Sequence, residues 1–253
     1  MRQAINDLIA AFSLLTRLPM PELSAGSKPA DQARSVWAYP LVGGVVGSVG
    51  ATTFLALDWI GLQGMLAAGL VVAVQILLTG ALHEDGLADV ADGFGGGRTK
   101  AKKLAIMRDS RLGTYGAISL IVVLGLRWGS IASLSAAQAI AGLIVAGILA
   151  RLAVVGILAV LPAARKDGMG RVVAGPPALA VNIAAVFAGL VTLLLLPPLV
   201  AAAAILATAA TVGLTIWLAR GQIGGYTGDV LGAGALAAET AVLVTLATIA
   251  SGL

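Results

Sequence analysis

Stretches of about 20 apolar residues recur along this chain, and each is long enough to cross roughly 30 Å of hydrocarbon as a helix. Of 253 residues, 59% are hydrophobic and only 11% charged, with a mean hydropathy of +1.00. A water-soluble domain of that length needs far more polar surface to cover its core. The expected fold is therefore all-α, a polytopic transmembrane helical bundle forming a single integral-membrane domain over 1–253. The pattern predicts about seven spans, at 36–57, 62–81, 115–134, 138–161, 178–196, 199–218 and 231–250. Turn-forming residues punctuate them at Asp58 to Gly61, Ser133 to Ser135, Pro176-Pro177 and Pro197-Pro198. Over 1–20, Ile5, Leu8, Ile9, Phe12 and Leu15 recur at helical spacing, while Asn6, Asp7, Ser13 and Thr16 interrupt the apolar surface. That mixture predicts an N-terminal interfacial helix rather than a span or a cleavable signal.

Orientation follows from the basic residues. With the N-terminus placed in the cytoplasm, fourteen of the sixteen Lys and Arg fall on the inner side. The other two, Arg127 and Arg151, lie within spans. A net charge of +4 distributed in this way reads as membrane topology and implies no nucleic-acid partner. The same assignment puts the polar loops 82–114, 162–177 and 219–230 on one face, where they can form one composite site. A multi-pass protein of a bacterial inner membrane, with its N-terminus and site loops cytoplasmic, is the expectation.

Residues 81–116 form an acidic and basic island in this hydrocarbon, with Glu84, Asp85, Asp89, Asp92 and Asp109 holding five of the twelve carboxylates. Charges are costly near lipid, so a cluster of them marks a functional site. Asp85, Asp89 and Asp92 are spaced i, i+4, i+7, which aligns them on one helix face. The second span, run on through residue 92, would present them at its cytoplasmic end. Like charges at that spacing call for a counter-cation. The chain has no cysteine and one histidine, His83, so oxygen ligands and Mg²⁺ or Mn²⁺ are expected, with Asp85, Asp89, Asp92 and Glu84 as candidates. A solvated polar helix end is the plainer alternative.

Three further segments carry candidates. Gly93 to Thr99, with Gly95, Gly96 and Arg98, reads as a Gly-rich turn whose amides approach phosphate oxygens, a weak pattern on its own. Lys100 to Arg111 mixes Lys102, Lys103, Arg108 and Arg111 with Leu104, Ile106 and Met107. It is either an amphipathic helix on anionic headgroups or a clamp in which Arg108, Asp109 and Arg111 fold over the carboxylates. His83 is a candidate general base or a hydrogen-bond partner of a carboxylate. In the second Gly-rich polar loop, Asp229 is a helix N-cap or a substrate contact. Glu239, deep in the last span, needs a partner: it either pairs with the intramembrane cations Arg127 and Arg151 or contacts substrate.

The run LHEDGLADVADGFGGGRT at 82–99, followed by IMRDSRLGTYG at 106–116, resembles the signature of the cobalamin synthase family, the adenosylcobinamide-GDP ribazoletransferases. LLTRLPMP at 14–21, YPLVGGVVG at 39–47, PAARKDGMG at 162–170 and GGYTGDVLGA at 224–233 resemble further family blocks in the same order, so the likeness covers nearly the whole chain. It implies joining of adenosylcobinamide-GDP to α-ribazole or its 5′-phosphate with release of GMP. His83, Asp109, Arg108 and Arg111 would then be catalytic. Gly95, Gly96, Arg98, Lys102, Lys103, Arg165 and Asp229 would bind substrate. Two other classes share some of these features. CDP-alcohol phosphotransferases use an Asp-rich helix, but their Ala-Arg step and later Asp-x-x-x-Asp pair are missing here. A transporter also breaks its helices with Gly and Pro, but it gathers polar residues at the midplane and often shows an internal repeat.

Overall fold

A computed structural model describes residues 2–21, 29–165 and 175–252. Lys28, Lys166 and Arg171, three of the fourteen basic residues placed on the inner side, lie outside the described residues. Among the described residues every named element is helical: α1 (Arg2–Leu15), α2 (Pro29–Arg34), a 3-10 turn (Ser35–Ala38), α3 (Tyr39–Trp59), α4 (Gly64–Thr79), α5 (Leu82–Gly96), α6 (Lys100–Ile106), α7 (Thr114–Ser133), α8 (Ala136–Val160), α9 (Ala178–Leu195), α10 (Pro198–Ile223) and α11 (Gly228–Ala250). Among the described residues, six segments are long and apolar enough to cross a membrane: Gln32–Trp59, α7, α8, α9, α10 and α11. The pair α4 and α5 adds a broken seventh, matching the seven apolar stretches.

The second span does not run on through residue 92. The axis turns by 89° between α4 and α5, where Gly80 and Ala81 both take left-handed backbone, φ 65° and 57°. Glycine adopts it freely; for alanine it costs about 1–2 kcal/mol. The Arg17 amide donates to the Leu78 carbonyl at 2.8 Å just before the turn. Beyond it, α5 packs against α7 and α11. Gly86 lets it seat there, since a Cβ at that position would stand 2.7 Å from the Asp229 carbonyl oxygen.

At the centre, α8 and α11 are buried along most of their length. Small residues allow close helix contact, as expected where lipid replaces water as the surrounding medium. A Cβ at Gly47 of α3 would come within 2.7 Å of the Ile144 Cα on α8. The rim exposes large apolar side chains to the bilayer, among them Leu77, Leu194, Leu199, Leu206 and Trp217. The interfacial helix α1 docks on the bundle through Ala11, Leu15 and a buried Asp7. Asp7 accepts hydrogen bonds from Arg34 Nη2 at 2.8 Å and Trp37 Nε1 at 3.0 Å, which accounts for a carboxylate on its apolar side.

Inside the bundle, Glu239 of α11 takes both intramembrane arginines: Arg127 Nη2 at 2.6 Å and Arg151 Nη1 at 3.1 Å. Arg127 also reaches Glu84 at 3.1 Å and Gln75 Oε1 at 3.3 Å. Two cations and two anions cancel, and the network ties α4, α5, α7, α8 and α11 together. The expected ion pair is present, enlarged by two residues from α4 and α5.

Candidate active site

The i, i+4, i+7 spacing of Asp85, Asp89 and Asp92 falls on the single helix α5. Asp92 faces the start of α7, where its oxygens accept the Gly113 amide at 2.7 Å and the Gly116 amide at 2.9 Å. It thereby satisfies two of the free N–H groups that every helix leaves at its N-terminus. Asp85 and Asp89 have no hydrogen-bond or ion-pair partner among the described residues. The carboxyl of Asp89 is pushed up to about 7, first by partial burial and then by the charges of Asp85, Asp229 and Asp92. Such crowding of unpaired acids is the electrostatic condition that a divalent cation relieves. Among the described residues no three His, Asp or Glu side chains already converge as a metal-binding group. The donors that fit a cation are thus Asp85 and Asp89, with each Asp92 oxygen keeping a further lone pair.

Glu84 does not join them. One position before Asp85 on the helix, it points into the bundle and is buried against Arg127. Its charge is already balanced by the Arg127 guanidinium, 3.1 Å away.

The segment after α6 folds back as one of the two readings of Lys100 to Arg111 anticipated. Asp85, Asp89, Arg108, Asp109 and Arg111 line one cleft of about 300 Å³. Arg111 grips Asp109 with Nη2 at 2.6 Å and Nε at 3.0 Å, which holds the Asp109 carboxyl well below the usual carboxylate range. Carboxylates on one wall and guanidiniums on the other suit a phosphate bridged by a cation.

The Gly-rich stretch is a different matter. Gly95 and Gly96 are the last residues of α5, and the Gly97 amide is spent on the Gly93 carbonyl at 3.1 Å. A helix C-terminus offers carbonyls, not amides, so it repels phosphate rather than cradling it. Gly95 and Gly97 serve close packing, since a Cβ at Gly95 would lie 2.8 Å from the Tyr115 ring and one at Gly97 2.8 Å from the Lys103 backbone, whereas one at Gly96 would meet only an ordinary contact at 3.5 Å. Of the basic candidates, Arg98 and Lys102 are exposed and do not line the cleft, and Lys103 donates to Gln222 of α10.

Asp229 is positioned by the two other polar loops. The amides of Ala164 and Tyr226 donate to the Tyr226 and Pro162 carbonyls at 2.8 and 2.9 Å, zipping residues 162–164 to the start of α11. Arg165 then reaches Asp229 at 2.8 Å, and the Thr227 hydroxyl adds 3.1 Å. His83 is buried on the inner side of Asp85, and its Nε2 has no partner. So α5, the 106–112 segment and the 162–165 and 224–229 segments all meet around Asp85 and Asp89.

Residues 7–247 match the model of the family described as cobalamin-5-phosphate synthase. The chain belongs to that family. Curated relatives called adenosylcobinamide-GDP ribazoletransferase include one from Bradyrhizobium diazoefficiens, 41% identical over 99% of this chain and 96% of its own. Others come from Mesorhizobium japonicum, at 39% over 96% of this chain and 93% of the relative, and Azorhizobium caulinodans, at 42% over 95% and 94%. No solved structure matches the chain significantly. Within the family frame, two features escaped the sequence reading. One is the inward turn of Glu84; the other is Tyr39, buried beside His83 and Asp85 on a common cavity wall. The YPLVGGVVG block contains Tyr39, but only the tertiary contact links it to α5.

Proposed function

We propose that this chain joins adenosylcobinamide-GDP to α-ribazole or its 5′-phosphate, releasing GMP and giving adenosylcobalamin or its 5′-phosphate, at the cleft around Asp85 and Asp89. The observation that carries the reading is the pair of unpartnered carboxylates facing Arg108 and Arg111 across that cleft. The printed names of the relatives support the choice of substrates.

In the reaction, the acceptor hydroxyl oxygen bonds to the cobinamide-linked phosphorus. The bond from that phosphorus to the bridging oxygen breaks, and GMP leaves with the electron pair. Asp85 and Asp89 would hold Mg²⁺, with Mn²⁺ as a substitute, and Asp92 would fix their helix to α7. When bound, the dication neutralises the pyrophosphate and the departing GMP. Arg108 and Arg111 supply positive charge to the phosphoryl oxygens, and Asp109 keeps the Arg111 fork oriented. His83, two residues before Asp85 and on the wall of the same cavity, is assigned the hydroxyl proton. Asp229, braced by Arg165, closes the opposite side of the site.

The membrane is taken to be the bacterial inner membrane, with α1, α6 and the cleft on its cytoplasmic side. Because the chain lacks cysteine, a single cysteine at Arg98 is expected to react with an impermeant maleimide only in inverted vesicles.

The direct test supplies detergent-solubilised protein with adenosylcobinamide-GDP, α-ribazole and Mg²⁺, and follows products by mass spectrometry beside an EDTA-treated control. Metal-dependent appearance of both GMP and adenosylcobalamin is expected. No product, with turnover of a CDP-activated lipid instead, would move the chain to the phospholipid enzymes.

A further inference from the structure

Asp85 lines two cavities. On one side is the polar cleft with Asp89, Arg108 and Arg111. On the other is a cavity of about 140 Å³ walled by Leu14 and Leu15 of α1, Tyr39 of α3, His83 of α5 and Leu158 of α8. The two chambers differ in chemistry. The outer has charged groups on both walls; the inner is apolar except for Tyr39, His83, Asp85 and Asp229. Two of its lining residues, Tyr39 and His83, are almost fully buried; His83 Nε2 has no partner, and Tyr39 Oη has only the Ser35 side chain beside it. Native interiors seldom leave a polar atom such as His83 Nε2 unsatisfied, and a ligand is one of the explanations it calls for. An apolar cavity near 150 Å³ admits one benzene-sized ring, so a larger base would seat its six-membered ring there and leave the remainder at the mouth.

We propose that the inner cavity binds the aromatic base of the acceptor, so that its sugar hydroxyl emerges beside Asp85 and His83 at the mouth of the phosphate cleft. This rests on the ribazole-transfer reading above and deepens it. A benzimidazole nucleoside is a flat apolar bicycle with one free ring nitrogen, which accepts a single hydrogen bond. Tyr39 Oη is the donor at hand. The same placement separates the two substrates: the pyrophosphate donor stays among the charges of the outer cleft, and the base sits in the dry chamber. It also assigns α1 a task beyond resting at the interface, because Leu14 and Leu15 close one wall. The seam between the chambers is Asp85.

The test is steady-state kinetics on the full chain in nanodiscs, varying each substrate in turn. Leu158→Phe, which fills the chamber, is expected to raise KM for α-ribazole about tenfold while KM for adenosylcobinamide-GDP moves less than about twofold. Tyr39→Phe keeps the ring and deletes only the hydroxyl, so it guards against misfolding; the same one-sided rise, smaller, is expected. Free dimethylbenzimidazole should compete with α-ribazole and not with the activated corrinoid. Wild-type protein that forms no product would sink the reading of function. Wild-type turnover with both KM values unmoved in Leu158→Phe and Tyr39→Phe would overturn the base pocket alone. So would a stoichiometric co-purifying acyl chain that α-ribazole fails to displace, since the chamber would then belong to lipid.

Discussion

Glu84 and Asp85 are neighbours on one helix with opposite fates. Glu84 turns inward, is buried, and is neutralised by Arg127, which also holds Glu239. Asp85 turns outward into a cleft and is left without a partner, as is Asp89 one turn on. Both regions are dense in charge, but only in one does each charge meet its opposite. Glu84 Oε2, Arg127 Nε and Arg151 Nε still lack a hydrogen bond there, so that network is balanced in charge rather than saturated. Crowded carboxylates facing guanidiniums are complete only when a charged substrate and its cation arrive. Charge density alone therefore does not locate chemistry; the absence of a matching charge does.

The comparison breaks most directly at Asp89. Asp89→Asn is expected to lower kcat by about 1000-fold, the scale of losing several kcal/mol of transition-state stabilisation. Thermal stability in detergent should hold or rise, because crowding with Asp85 and Asp92 is relieved. A melt that collapses instead would put Asp89 in the structural class.

On the buried side the effect should reverse. Glu239→Gln strands Arg151 and weakens Arg127, and is expected to cost about 3–5 kcal/mol, read as a fall in Tm. Adding Arg151→Met should recover part of that loss, since the uncompensated buried charge is removed.

Glu84→Gln sharpens the contrast with its neighbour. Arg127 keeps Glu239 and Gln75, so about 1–3 kcal/mol of stability should go, with the substrate KM values unchanged. A marked rise in the Mg²⁺ requirement of this variant would return Glu84 to the metal set.

The smallest effect lies at the turn that makes the two faces possible. Ala81→Gly should raise stability by about 1 kcal/mol or less, by relieving left-handed backbone at an alanine. A drop of Tm in thermal melts would show that Ala81 is not strained.

Much of this was legible in the chain. The spans could be read because apolar length is a one-dimensional property, and their ends at Pro197 and Ser135 carry local turn and cap chemistry. The carboxylate register on α5 was legible for the same reason, since i, i+4, i+7 spacing needs only a helix. Of the Gly93 to Thr99 stretch, read as a Gly-rich turn, residues 93–96 instead form the end of α5. Glycine marks both tight turns and close packing, and nothing local distinguishes them; Tyr115 and Lys103, distant in sequence, decided for packing. The 89° turn was hidden too, because Ala81 is an ordinary helix former whose left-handed backbone is imposed by its surroundings.

By itself the sequence determined that this is a membrane-spanning helical bundle with its acids on one helix, because hydrophobic length and helical period are set by residues close along the chain. Only the tertiary structure decided which acid is paired and which is left open, that Arg165 meets Asp229, and that Asp85 stands between two chambers. Those outcomes depend on helices α5, α7, α8 and α11 meeting across long sequence separations, where burial and charge matching act between residues that local pattern cannot relate.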